Sequence, residues 1–242
     1  MTEAEECFGT EHQEIYIEAL ECLTRKGVPF MLGGAFAVWH YTGSWRHTHD
    51  IDVFTSPEHV SEAVDALRDA GFRDLGEQAP GDREWIFHAI KGEIIVDVIW
   101  RFANRITAVS DDWMDRAEKG EVLGVKVKII PIEELVWAKI FVMNRHRCDW
   151  PDVIRILRAN CPTFKWNRLL ELLGEHWLLF AGVVDVFDWE CPGAWHCIPE
   201  SVRSELKRRR EEYRPEPSIG TREKLLDPWI HSRPEDLCYW AP

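Results

Sequence analysis

The sequence predicts an α+β protein: a mixed, mostly antiparallel sheet flanked by helices, followed by a C-terminal helical domain. Three observations support this. The apolar segment Phe30 to Leu32 runs into Gly33-Gly34, and a short helical pattern follows. Two runs of alternating polar and apolar residues are joined by Lys91-Gly92, which is typical of a tight β-hairpin. After Pro131, most segments show the periodicity of helices.

These patterns divide the 242 residues into three parts. Residues 1–130 contain the predicted strands, and residues 131–213 are predicted to be helical. Residues 214–242 are rich in proline, tryptophan and charge without a period, so we expect an irregular tail there. A chain of this length can bury a full core.

The elements of the first part follow from periodicity and from residues that end helices. Apolar residues at helical spacing predict a helix from His12 to Lys26. The elements predicted next are a strand at Phe30 to Leu32, a helix at Ala35 to Tyr41, a strand at Asp50 to Phe54, a helix from Ser56 to Gly71, the hairpin Glu84 to Trp100, and a second hairpin at Val122 to Ile130. The helices predicted in the second part are Ile132 to Arg145, Asp152 to Arg158, Asn167 to Leu173, Trp177 to Phe187 and Glu200 to Tyr213.

Asp50 and Asp52 are the first candidate site residues. Side chains alternate between the two faces of a strand, so these carboxylates share one face while Ile51 and Val53 point into the core. Neighbouring carboxylates repel each other unless a positive charge lies between them. Hard oxygen ligands suit magnesium, so this pair predicts a divalent metal site.

The pair Gly33-Gly34 predicts a second part of the site. Glycine permits a sharp turn and lets a ligand approach the backbone closely. Backbone N–H groups at the start of the next helix are suited to phosphate oxygens. A phosphate pocket beside two carboxylates indicates metal-assisted chemistry on a nucleotide.

With Gly33-Gly34, a short helix and Asp50-x-Asp52 in this order, the sequence resembles the nucleotidyltransferases of the DNA polymerase β type. The residue pattern from Arg46 through Thr48 to Phe54 is most similar to that of bacterial abortive-infection-type and toxin-like members. It is also similar to small antibiotic-modifying nucleotidyltransferases. The specific match covers roughly residues 30 to 55, with weaker support to about residue 157.

The resemblance implies transfer of a nucleoside monophosphate from an NTP to an acceptor, with release of pyrophosphate. It implies that Asp97, on a neighbouring strand, completes the metal set with Asp50 and Asp52. The ions expected are two Mg²⁺, with Mn²⁺ as the alternative, about 3.5–4 Å apart. Gly33, Gly34, Arg46, Thr48 and Lys139 are the expected nucleotide-binding residues.

Simpler explanations stand beside these assignments. Asp97 on a half-exposed sheet is otherwise a surface acid, and Lys139 on a helix is otherwise solvated. Arg46 equally well pairs with an acidic neighbour to hold the turn. His47 and His49 are expected to position the site or lie on the surface, since magnesium prefers oxygen. A different class of function is a catalytically silent binding module, such as an antitoxin-like partner.

The acceptor is left open between RNA, protein and a small hydroxylated molecule. The net charge of −13 argues against a protein that coats nucleic acid, since phosphate contacts need lysine and arginine. Two basic clusters, at 145–147 and 207–210, favour RNA if they form a local basic surface on the acidic body. An acidic body slightly favours a cationic small acceptor. A partner protein is a further alternative.

The cysteines and the apolar runs bear on the compartment. Seven cysteines, an odd number without a Cys-x-x-Cys pair, favour a reducing cytoplasm over a disulfide scaffold. The first residues are acidic, and the longest apolar run, Trp177 to Val184, is too short to span a bilayer. We therefore expect a soluble cytoplasmic protein without a membrane partner.

Overall fold

The structure is a computed structural model that describes residues 10–46, 48, 50–77, 83–144, 146–216 and 222–227. The described residues form two compact units, one up to Pro131 and the other from Ile132 onward. His47, His49 and Arg145, and most of the predicted tail 214–242, lie outside the described residues.

The first unit alternates helices and strands. Its helices are α1 (Thr10–Arg25), α2 (Gly34–Thr42), α3 (Val60–Asp69) and α4 (Asp111–Arg116). Its strands are β1 (Met31–Leu32), β2 (Asp50–Phe54), β3 (Arg73–Asp74), β4 (Ile86–Lys91), β5 (Ile94–Ile99), β6 (Glu118–Val122) and β7 (Val125–Ile129). A 3₁₀ turn, Pro57–His59, leads into α3.

The described strands form one mixed sheet in the order β3-β4-β5-β2-β1-β7-β6. The pairs β2–β5 and β1–β7 are parallel, and the other four neighbouring pairs are antiparallel. The predicted mixed, mostly antiparallel sheet flanked by helices is therefore confirmed. The parallel pair β2–β5 at the centre matters most, because it sets two acid-bearing strands side by side.

Local sequence explains the central strands. Lys91 pairs with Ile94 around the Gly92 turn, where the glycine φ is +60°, so the predicted hairpin has a tight connection. In β2, Ile51 and Val53 are fully buried, whereas Asp50 and Asp52 are half-buried. The alternation expected from the sequence is thus present, and it directs the acids away from the apolar core.

The second unit is helical in its described residues. Its helices are α5 (Ile132–Ile140), α6 (Trp150–Asn160), α7 (Trp166–Leu173), α8 (Trp177–Glu190), α9 (Glu200–Glu212) and the short α10 (Glu223–Leu226). A disulfide joins Cys161, after α6, to Cys197, before α9. For these two cysteines, the expectation of free thiols was wrong.

Some predicted boundaries were also wrong. The helix expected to reach Arg145 ends at Ile140. Beyond it, the Asn144 side chain accepts hydrogen bonds from the backbone N–H groups of His146 and Arg147, which favours a turn. The sequence analysis missed α4, β3 and most of β6, which is a charged strand without an apolar alternation. Within the described residues, no helix combines the length and apolar character needed to cross a membrane.

Candidate active site

The turn between β1 and α2 requires both of its glycines. Gly34 has a φ of +52°, in the left-handed region that favours glycine. A Cβ at Gly34 would overlap the Oδ2 atom of Asp52, and a Cβ at Gly33 would overlap the ring of Phe54. The Gly33 N–H donates to the Asp52 carbonyl oxygen at 2.9 Å. The start of α2 therefore lies directly against the carboxylate-bearing strand.

The register of β2 and β5 brings the predicted acids together. Asp52 pairs with Asp97 across these parallel strands, and Asp50 lies two residues earlier on the same face as Asp52. Asp97 is 5% exposed. Together, Asp50, Asp52 and Asp97 are called the acid triad below. The geometry expected for Asp97 is therefore present, while the roles of the three acids remain a prediction.

The loop before β2 supplies a hydrogen-bond donor to Asp50. The Thr48 hydroxyl donates to Asp50 Oδ1. The hydroxyl of Tyr16, a fully buried residue of α1, lies 3.5 Å from the Thr48 carbonyl oxygen and donates to it. Burial, together with the negative charge of Asp50, raises the pKa of Tyr16 far above its ordinary value. Tyr16 is therefore a part of the site that the sequence analysis missed.

His88 is the second residue that the sequence analysis missed. It lies on β4 opposite Asp97, and its Nδ1 atom is 2.6 Å from Asp97 Oδ1. Both side chains are mostly buried. The signal was available in the sequence: once the hairpin turns at Lys91-Gly92, counting back along the two strands pairs residue 88 with residue 97.

Aromatic contacts support the segment between α2 and β2. The ring of Trp45 packs edge-on against Phe36 and Trp39 of α2, with centroids 5.2 and 6.3 Å apart. Phe36 in turn contacts Tyr16. Arg46 follows Trp45 and is exposed. The contacts predicted for Arg46 and Thr48 with a nucleotide remain predictions.

Lys139 belongs to the second unit, where acids surround its amine. Its Nζ atom lies 2.8 Å from Asp149 Oδ2 and 2.9 Å from Asp152 Oδ2, and all three side chains are buried. Arg147 adds two bonds to Asp149, at 2.7 and 2.8 Å. These four residues are called the Lys139 cluster below. A phosphate contact from Lys139 remains a prediction, and in this structure the amine bonds to two carboxylates.

Neighbouring positive charges lower the pKa of Asp149 in the Lys139 cluster. Burial alone would raise the pKa of Asp149, but the positive charges of Lys139 and Arg147 outweigh it and lower this pKa to about 2. Asp149 is therefore ionised at neutral pH, so the amine of Lys139 lies against a charged carboxylate inside the fold.

The acid triad has the donor chemistry of a hard divalent cation site: three carboxylates on one face of adjacent strands. In the described part of the chain, however, no three His, Cys, Asp or Glu side chains are arranged to hold an ion. Asp50 and Asp97 instead accept from Thr48 and His88.

Known proteins match both the sequence and the fold. Residues 8–179 match a family model described as "Uncharacterised nucleotidyltransferase". No curated protein matches the sequence. The solution structure of the antibiotic-resistance factor ANT(2'')-Ia is similar with a TM-score of 0.50 and 16% identity, covering 73% of this chain and 96% of that one. This likeness concerns the fold alone.

Two further solved structures are more distant. The lincomycin-bound crystal structure of the lincosamide antibiotic adenylyltransferase LnuA has a TM-score of 0.43 and 18% identity, with 61% of this chain and 96% of that chain covered. A putative nucleotidyltransferase from Thermotoga maritima has a TM-score of 0.40 and 18% identity, with 53% and 82% covered.

Proposed function

Because residues 8–179 place this chain in the family of uncharacterised nucleotidyltransferases, we propose that it moves a nucleoside monophosphate from an NTP to an acceptor hydroxyl with help from a divalent metal. The observation that carries this proposal is the acid triad: Asp97 lies opposite Asp52 in the register of β2 and β5, next to the Gly33-Gly34 turn. The family establishes a transferase, and the triad supplies a place for the chemistry.

The proposed reaction exchanges a phosphoanhydride bond of the NTP for a phosphate ester bond to the acceptor. The acceptor oxygen forms a bond to the α-phosphorus, the bond from that phosphorus to the bridging oxygen of the β-phosphate breaks, and pyrophosphate leaves. Asp97 lies on the acceptor side and takes the hydroxyl proton or directs it to solvent. Bound Mg²⁺ or Mn²⁺, held by Asp50, Asp52 and Asp97, would neutralise the charge of the phosphates and of the attacking oxygen.

The chain's own residues position the nucleotide in this proposal. Because Gly33 and Gly34 lack side chains, the start of α2 lies against Phe54 and Asp52. In this proposal, backbone N–H groups of the first turn of α2, beside the acid triad, bind phosphate oxygens. Arg46 offers a planar fork of donors, and Thr48 holds Asp50 in place. Most of the rate enhancement then comes from positioning and from charge neutralisation.

The acceptor we propose is a small hydroxylated molecule rather than RNA. The arginines of α9, which formed one of the basic clusters, are paired with acids in the structure. Arg208 bonds to Glu205 and Glu212, Arg209 bonds to Glu205, and Arg210 bonds to Asp185. Paired arginines attract phosphate weakly, so this surface offers little to RNA. The toxin-like subtype and a partner protein remain predictions without further support.

A transfer assay tests the proposed function. The purified chain is incubated with each labelled NTP and Mg²⁺, together with tobramycin, lincomycin or bulk RNA as acceptor. We expect pyrophosphate release with one NTP and an acceptor whose mass increases by one nucleoside monophosphate. Asp52→Ala should abolish both signals. A wild-type chain that neither binds any NTP with Mg²⁺ nor releases pyrophosphate would overturn the proposal in favour of a silent binding module.

A further inference from the structure

A row of side chains crosses the sheet at the proposed site. Asp97 of β5 has Asp52 of β2 as its register partner on one side and His88 of β4 on the other. Register partners in a sheet project from the same face. His88 is therefore the neighbour of the acid triad on the side away from β2.

The contact between His88 and Asp97 is short and shielded. The Nδ1–Oδ1 distance is 2.6 Å, and the side chains are 15% and 7% exposed. An ionised carboxylate only accepts hydrogen bonds, so this contact requires the hydrogen to be on Nδ1. The terminal torsion of an aspartate is otherwise broad, and a buried bond to one oxygen fixes it.

We propose that His88 is a positioning residue of the transfer reaction. It holds Oδ1 of Asp97 and thereby fixes the orientation in which this carboxylate would meet a bound metal ion and the acceptor hydroxyl. This inference rests on the proposed function, since it assigns His88 a task in that same site. Side chains that orient a metal-binding group usually affect metal affinity or activity by about 10–100-fold.

The residue type fits this task. In its neutral form an imidazole can donate one hydrogen bond from Nδ1, whereas a lysine or arginine donates only as a full positive charge. A lysine or arginine at position 88 would pair with Asp97, as Lys139 pairs with Asp149 and Asp152 in the second unit, and would compete with a divalent cation for that carboxylate. A histidine can therefore orient Asp97 without a permanent positive charge beside it.

Two substitutions of the full-length chain separate positioning from packing. His88→Ala removes the donor, whereas His88→Asn places an amide N–H near the position of Nδ1. His59 provides the matched control. Its Nδ1 atom lies 2.9 Å from Glu62 Oε2, so it also forms a histidine–carboxylate pair, but outside the proposed site. His59→Ala should behave like the wild type in every assay below.

Three readouts are needed. In the transfer assay, His88→Ala should lower kcat about 10–100-fold with little change in the KM for NTP, and His88→Asn should restore most of the loss. In titrations with Mn²⁺ alone, His88→Ala should bind about 10-fold more weakly, again with rescue by His88→Asn. Nitrogen-15 NMR of the metal-free chain should show the hydrogen of His88 on Nδ1 and a changed signal in Asp97→Asn.

The outcomes distinguish this inference from the proposed function. A wild type that transfers nucleotide, with His88→Ala equal to it in kcat and Mn²⁺ affinity, overturns the role of His88 and leaves the function intact. Loss in His88→Ala without rescue by His88→Asn also overturns it. If the wild type has no activity, the proposed function fails, and the NMR and Mn²⁺ data still decide: a hydrogen absent from Nδ1, or unchanged Mn²⁺ binding in His88→Ala, overturns the inference.

Discussion

The acid triad and the Lys139 cluster solve the same electrostatic problem in different ways. Both bring aspartates close together at buried or half-buried positions. In the cluster, the chain supplies the cations itself, through Lys139 and Arg147. In the triad, the hydrogen-bond donors are the hydroxyl of Thr48 and the imidazole of His88. We therefore expect the aspartates paired with Lys139 and Arg147 to serve stability, and those oriented by a hydroxyl and an imidazole to serve a bound cation.

Removing the cation of the cluster should have the largest effect on stability. Lys139→Met leaves Asp149 and Asp152 buried without the ammonium, which costs about 3–5 kcal/mol of unfolding free energy. Chemical denaturation of the full chain measures this loss. Arg147→Met is the matched control, because more than half of that side chain is exposed and its loss should cost less.

A loss below about 1 kcal/mol in Lys139→Met would show that the cluster is not a structural unit. The nucleotide-binding prediction for Lys139 can be separated in the same series. If Lys139→Arg is stable but binds NTP as weakly as an active-site variant, the amine also serves the nucleotide.

Removing a charge from the triad should instead affect activity. Asp52→Asn should lower the rate of nucleotide transfer about 10²–10³-fold, because one charge that stabilises the transition state is lost. The melting temperature should stay the same or rise, because the substitution removes one of the carboxylate charges that repel each other. Asp69→Asn, on an exposed acid paired with Lys26, should change neither quantity. A strong loss of stability in Asp52→Asn would mean that the triad is structural, like the cluster.

Acid should affect the cluster at a defined pH. The folded-state pKa of Asp149 is about 2, below its ordinary value of 3.8. Asp149 therefore stabilises the fold above about pH 4, and this contribution of about 2 kcal/mol is lost as the pH falls toward 2. Unfolding free energies measured from pH 7 to pH 2 test this. Above about pH 4 the unfolding free energies of the wild type and Asp149→Asn should differ by a constant amount, and this difference should change by about 2 kcal/mol as the pH falls toward 2. A constant difference over the whole range would contradict the assignment.

The close approach of α2 to the triad can be tested with two glycines. Gly34→Ala introduces a left-handed alanine, which costs about 1–2 kcal/mol, and a methyl group that displaces the Asp52 carboxylate. Gly43→Ala has the same backbone cost, with a φ of +67°, but nothing lies within 4 Å of its Cβ. Both variants should lose stability, Gly34→Ala at least as much as Gly43→Ala, and only Gly34→Ala should lose transfer activity. Equal activities in the two variants would contradict the contact.

The smallest effect is expected at the arginines of α9. The double substitution Arg208→Gln with Arg209→Gln should leave the binding of bulk RNA unchanged, because acids on the same helix already pair with both side chains. Filter binding at low salt measures this. Tight RNA binding by the wild type that disappears in the double variant would favour RNA as the acceptor.

Much of the first unit could be predicted from the sequence, because its signals are local. The alternation in β2 and the tight turn at Lys91-Gly92 fix which side chains share a face. The pairing of β2 with β5 is a contact between separate segments, and the sequence analysis obtained it only through a resemblance to a family. The resulting position of Asp97 opposite Asp52 agrees with that expectation.

Other parts of the site depend on tertiary contacts that no local pattern contains. Tyr16 lies within the helix predicted from His12 to Lys26, and the helical pattern does not indicate that its hydroxyl bonds to the backbone at Thr48. Lys139 appeared as a helix lysine, yet Asp149 and Asp152 approach it from the next helix and the segment before it. The disulfide between Cys161 and Cys197 was missed because an odd count of scattered cysteines does not specify a pairing.

The central claim is that the acid triad keeps its charge for a metal-bound nucleotide. The most direct measurement is the thermal unfolding of the wild type and of Asp52→Ala with each NTP, with and without Mg²⁺. We expect at least one NTP to raise the melting temperature of the wild type only when Mg²⁺ is present, and to leave Asp52→Ala unchanged. No response of the wild type to any NTP with Mg²⁺, or an equal response of the two proteins, would contradict the claim.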